Sequence, residues 1–161
     1  MPLQYRSLLQ TLNDHSIEYI VVGGVGAVLR GAPVNTLDLD IVYSVEPDNL
    51  VRLVSALENL DAIYRGQPER RLAPKASHLA AAGQNLLITR FGPLDVLGSI
   101  GNGRTYRDLV AHSPVIDLGE GLLVPVLDLE TLIAVKEEVG SEKDRAVLPV
   151  LRRTLEESRR R

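Results

Sequence analysis

The sequence has no cysteine, no tryptophan, a single phenylalanine (Phe91) and no apolar run near the ~18 residues that a membrane-spanning helix requires. The missing thiols exclude disulfides, thiolate metal sites and a cysteine nucleophile. They fit a reducing compartment, so cytoplasm is the expected location. With aromatics at 4% of the chain, aliphatic side chains must fill the core. No basic segment followed by an apolar stretch opens the sequence, so neither secretion nor membrane partners are expected. A net charge of −3 supplies no global attraction to nucleic acid. There is no phosphate-binding Gly-Lys-Ser run and no serine nucleophile elbow. His15, His78 and His112 are scattered without ligand spacing. What remains, 45% hydrophobic and 24% charged over 161 residues, suits a single domain over 1–161 with a real core.

One stretch organises the rest. A β-branched run ending in Tyr19-Ile20-Val21-Val22 predicts a strand over 18–22. Gly23-Gly24 interrupt it, and residues 25–30 read as a short helix closed by Gly31 and Pro33. Residues 37–43 read as a second strand carrying Asp38 and Asp40. Positions two apart on a strand point to one side, which sets the two aspartates on one face and Leu39 and Ile41 on the other. Neighbouring carboxylates repel and raise each other's pKa unless a cation lies between them. Hard oxygen donors of this kind suit Mg²⁺. The pattern also serves a solvated edge strand, although Leu39, Ile41 and Val42 argue against full exposure.

Leu8, Leu9 and Leu12 recur at helical spacing within 3–14, and Leu50, Leu53, Val54 and Leu57 continue a helix from Pro47. Residues 61–76 show no period and carry a basic cluster, Arg65, Arg70 and Arg71. A strand is expected over 77–82. Strands over 85–90 and 94–97 are joined by Phe91-Gly92-Pro93 as a turn, which sets Asp95 within a sheet. Residues 98–103 read as a glycine-rich loop, and Thr105 with Asp108 as a helix start. Short strands follow over 115–118 and 122–126. Asp128 caps a helix over 129–139 that Gly140 stops. Ser141 with Asp144 starts the last helix, whose apolar stripe is Leu148, Leu151 and Leu155.

Four features carry chemistry. Gly23 and Gly24 at a strand end let the backbone approach a ligand, and amides of the helix behind them suit phosphate; a tight turn without a ligand uses the same residues. Asp38 and Asp40 form a candidate metal pair. Asp95, between Leu94 and Val96, is a carboxylate whose burial demands a cation or hydrogen bonds. Lys136 continues the inward stripe of Leu129, Leu132 and Ile133, so it meets an anion or snorkels out along its alkyl stem.

Together, Val22-Gly23-Gly24, the gap to Leu37, Asp38-Leu39-Asp40-Ile41 and the later strand aspartate Asp95 resemble the nucleotidyltransferase superfamily, whose palm is like that of DNA polymerase beta. The run from Val22 to Val28 looks most like the small prokaryotic branch, which includes relatives of abortive-infection toxins and minimal nucleotidyltransferases. The sequence departs from the family pattern at Val34-Asn35, where many relatives carry Arg before the Thr, and at Gly24, where other branches carry Ser.

The resemblance implies an α+β nucleotidyltransferase fold: a mixed sheet bearing the carboxylates, flanked by helices, with a palm-like core over 1–103 and a helical C-terminal portion over 104–161. It implies Asp38, Asp40 and Asp95 as catalytic ligands of two Mg²⁺ ions, and Gly23, Gly24 and Lys136 as the seat of an NTP such as ATP. The expected reaction moves an NMP to a hydroxyl of a tRNA end, a protein side chain or a small antibiotic, releasing pyrophosphate. The alternative is a catalytically silent nucleotide- or partner-binding module, such as a toxin–antitoxin component. Oligomeric state stays open.

Overall fold

The computed structural model describes residues 2–161. In chain order the elements are α1 Tyr5–Asp14, β1 Tyr19–Val22, α2 Gly23–Leu29, β2 Leu39–Tyr43, α3 Pro47–Asn59, β3 Ile63–Tyr64, α4 Ala76–Ala80, β4 Gln84–Thr89 and β5 Gly92–Leu97. They continue as β6 Ser99–Ile100, β7 Arg104–Thr105, α5 Tyr106–Leu109, β8 Val115–Asp117, β9 Leu123–Pro125, α6 Leu129–Val139 and α7 Glu142–Arg159.

The central sheet has five strands in the order β1-β2-β5-β4-β3. Only the β2–β5 pair is parallel; the other neighbours are antiparallel. This mixed sheet with flanking helices is the expected α+β arrangement. Strand alternation divides the core into two. Leu39, Ile41, Tyr43, Leu94 and Val96 pack with Leu8, Leu9, Leu12, Leu53 and Leu57, the apolar stripes of α1 and α3. Ile20, Val22, Val42 and Leu97 face the other way, onto Leu129, Leu132 and Ile133 of α6 and Leu148 and Leu151 of α7. Asp40 alternates with Leu39 and Ile41, so it belongs to the face on which α6 and α7 lie.

Polar contacts set the ends of α6 and the approach to it. Asp128 Oδ1 accepts from the Thr131 N–H at 2.8 Å and caps its start. Gly140, at φ +63°, ends it in the left-handed conformation. Arg30, just past α2, donates to Val126 O at 2.6 Å and Pro114 O at 3.0 Å, holding the approach to α6 against α2.

Two expectations change. Residues 77–82 do not form a strand: residues 76–80 are α4. Its alanines favour helix, the Lys75 N–H donates to His78 Nδ1 at 3.0 Å, and Tyr43 Oη donates to Leu79 O at 2.6 Å, anchoring the helix over the sheet. The glycine-rich 98–103 segment contains β6, which pairs with β7 in a small hairpin. Glu138 of α6 holds that hairpin by accepting from the Asn102 N–H at 3.0 Å and Arg104 Nε at 2.9 Å. No helix among the described residues is long and apolar enough to cross a membrane.

Candidate active site

The β2–β5 register sets Asp40 directly beside Asp95. In-register residues of neighbouring strands point to the same face, so the two carboxylates meet above the sheet on the α6 side. Asp38 lies one residue before β2 begins, and its segment is held by Thr36 Oγ1, which donates to Asp38 O at 2.9 Å. Oxygens of Asp38, Asp40 and Asp95 all lie within 4.8 Å of one another, and this is the cluster of three such ligands found among the described residues.

Gly23 is required by this geometry. It sits at φ +66°, and a Cβ there would collide with the Asp40 carboxylate. Lacking one, the main chain lies flat beneath the acid. Gly24 is small for another reason: a Cβ would stand 2.7 Å from Thr36 Oγ1. Both glycines form the first turn of α2, so the helix starts earlier than the expected residue 25.

The electrostatics match a cation site. Burial, then the charges of Asp38 and Asp95, push the Asp40 carboxyl up to about 8, against a smaller pull from Lys136. Burial and Asp38 also raise Asp95, although Arg65 opposes them. Asp40 Oδ1 and Asp95 Oδ1 are buried without a hydrogen-bond partner. Arg65 Nη2 lies 2.9 Å from Asp95 Oδ1, a charge contact without an aligned hydrogen bond. Orphaned buried oxygens are costly, and a divalent cation among three carboxylates satisfies them. The donor set therefore fits a hard metal ion.

Lys136 joins the same place. A cavity of about 230 Å³ is lined by Gly23, Asp40, Gln84, Ser99, Lys136 and Asp144, among others. That is below the roughly 300 Å³ of ordinary small-molecule pockets. Lys136 Nζ pairs with Asp144 Oδ1 at 3.0 Å. Burial disfavours the charge on Asp144, but the Ser141 hydroxyl and Lys136 outweigh it and hold the group below the usual carboxylate range. A larger hollow of about 510 Å³ lies beside Glu18, Tyr106 and Arg107. It holds no carboxylate cluster, and the chemistry selects the smaller cavity.

All six sequence-selected residues thus occur in one region. Asp38, Asp40 and Asp95 converge, Gly23 underlies Asp40, Gly24 packs on Thr36, and Lys136 lines the cavity. The Arg65–Asp95 and Lys136–Asp144 contacts were not legible in the sequence. The first joins a residue just past β3 to one on β5, distant in sequence. The second was hidden because Asp144 reads as a capping residue, which it also is: its N–H donates to Ser141 Oγ at 3.1 Å.

No protein-family model and no curated protein matches the sequence. Solved structures do match. A Thermotoga maritima protein provisionally assigned as a nucleotidyltransferase aligns with TM-score 0.56 and 17% identity over 95% of this chain and 91% of its own. The lincomycin-bound lincosamide antibiotic adenylyltransferase LnuA aligns with TM-score 0.61 and 14% identity, covering 92% and 94%. The antibiotic-resistance factor ANT(2'')-Ia aligns with TM-score 0.54 and 13% identity, covering 94% and 82%. Near-complete coverage in both directions, at identities this low, establishes shared architecture: the chain has the nucleotidyltransferase fold.

Proposed function

We propose that the protein is a Mg²⁺-dependent nucleotidyltransferase that moves an NMP from an NTP to a hydroxyl of an acceptor and releases pyrophosphate. The observation that carries this reading is the convergence of Asp38, Asp40 and Asp95 beside Gly23, with Asp40 Oδ1 buried and unpartnered.

Asp38, Asp40 and Asp95 would hold the metal. Divalent ions bound there supply charge neutralisation of the triphosphate and a lowered pKa of the acceptor hydroxyl. The phosphate chain enters the cavity between Gly23 and Lys136. The Gly23-Gly24 turn gives it room and backbone amides, and Lys136, held by Asp144, supplies a positive charge on the α6 side. The acceptor oxygen bonds to the α-phosphorus while the bond from that phosphorus to the bridging oxygen breaks, and pyrophosphate carries the electron pair away. The hydroxyl proton passes to the Asp95 carboxylate and on to solvent. Positioning and electrostatics account for catalysis of this kind.

The acceptor is a hydroxyl compound. LnuA, bound to lincomycin, is the neighbour whose acceptor class is stated; a small antibiotic therefore stands with a tRNA end and a protein side chain. A second reading, a nucleotide-binding module without transfer, draws on Arg65, which already neutralises one of the three acids.

The experiment is incubation with α-phosphate-labelled NTPs and Mg²⁺, offering total RNA, protein lysate and lincosamides as acceptors. Label transfer that is lost in Asp38→Ala and Asp40→Ala supports the enzyme. Saturable NTP binding with no transfer to any acceptor supports the silent module.

A further inference from the structure

Arg65 follows directly after β3 and is fixed at both ends. Its backbone N–H donates to Leu86 O at 2.9 Å, and its Nη1 donates to Leu87 O at 3.1 Å. Both acceptors belong to β4, the strand beside β5. From that anchorage Nη2 reaches Asp95 Oδ1 at 2.9 Å, with the Asp95 side chain 13% exposed. A guanidinium keeps its charge at any pH the fold survives. This cation is held by main-chain carbonyls and set against the third carboxylate, unlike the solvated pair of Arg160 with Glu156 at the end of α7.

We propose that Arg65 is the resident counter-cation of Asp95 and limits the nucleotide-free site to one divalent ion. The inference rests on the metal-dependent reading above. Three ionised carboxylates carry three negative charges. Arg65 offsets one, and a single divalent ion offsets the other two. Lys136 and Asp144 cancel each other. The site is then neutral, and a second divalent ion would leave excess positive charge among partly buried groups, which is disfavoured. The phosphates of an incoming NTP restore negative charge, so the second ion arrives with the nucleotide. Arg65 thereby makes occupancy of the Asp95 side conditional on substrate.

The test is titration of the nucleotide-free protein with Mn²⁺, read by the paramagnetic resonance of free ion, for wild type, Arg65→Lys and Arg65→Gln. One tight ion is expected in wild type and in Arg65→Lys, and with ATP one ion per protein more than an ATP-only titration accounts for. In Arg65→Gln the second ion should bind at least about tenfold more tightly without ATP, because a neighbouring like charge is gone. Two tight ions in nucleotide-free wild type, or an unchanged second-ion affinity in Arg65→Gln, overturns the proposal. If Arg65→Gln does not fold, the wild-type stoichiometry with and without ATP decides. Mn²⁺ curves identical for wild type and Asp38→Ala would instead remove the metal site, and with it the transferase reading. Single-ion binding that ignores both Arg65 and ATP sinks this inference alone.

Discussion

Asp40 and Asp95 are direct neighbours on parallel strands β2 and β5, with carboxylate oxygens within 4.8 Å of each other on one face of the sheet. Two acids so placed cannot both ionise cheaply in metal-free protein. The arrangement stores repulsion that a bound cation relieves, and it makes the site sensitive to both metal and proton.

Replacing Asp40 by Asn removes a metal ligand and a source of repulsion together. Transfer should fall by more than the about 10–100-fold typical of residues that merely support a ligand. Metal-free thermal stability at pH 8 should hold or rise. A marked drop in melting temperature would make Asp40 structural.

The raised pKa of Asp40, about 8, fixes the sign of a pH effect. The folded protein keeps a proton that the unfolded chain gives up near the ordinary aspartate value of 3.8. Stability from this group is therefore full below about pH 4 and is lost as pH rises toward 8, with a slope of up to about 1.4 kcal/mol per pH unit. Metal-free denaturation curves across that window should show the fall, added Mg²⁺ should reverse it, and Asp40→Asn should flatten it. Unchanged curves in Asp40→Asn would assign the slope to other groups.

Gly23→Ala should be severe. The position has φ +66°, and the added carbon would overlap the Asp40 carboxylate. Backbone strain alone costs about 1–3 kcal/mol, and displacement of Asp40 should weaken Mn²⁺ binding as well. Calorimetric melting together with a Mn²⁺ titration checks both. A variant with wild-type stability and metal affinity would contradict the close approach.

Lys136→Ala should raise the KM for NTP several-fold, and Asp144→Asn should change KM in the same direction by less. Breaking this partly buried pair should destabilise the fold by on the order of 1 kcal/mol, between the values for surface and buried pairs. Equal NTP binding by wild type and Lys136→Ala would remove the lysine from the site.

Much of the site was written locally. Asp38 and Asp40 read as one-sided because a strand has period two, and β2 obeys it for Asp40; Asp38 falls just before the strand and reaches the cluster through the Thr36-held loop. Gly140 and Asp128 signalled the ends of α6 correctly. What was not legible depended on distant partners. The segment over 77–82 has helix-favouring alanines, but Leu79 is also buried and its carbonyl accepts from Tyr43 Oη, a partner distant in sequence. The two-residue β3 is too short to show a period, so nothing in the sequence said that Arg65, just beyond it, would lie against Asp95.

The central claim is that the three acids gather divalent metal beside a phosphate cavity. Crystals grown with Mn²⁺ and a non-hydrolysable ATP analogue, measured at the manganese absorption edge, address it directly. Anomalous peaks bridged by Asp38, Asp40 and Asp95, with the phosphates between Gly23 and Lys136, are the predicted result. Bound analogue with no anomalous peak at these aspartates would contradict the account.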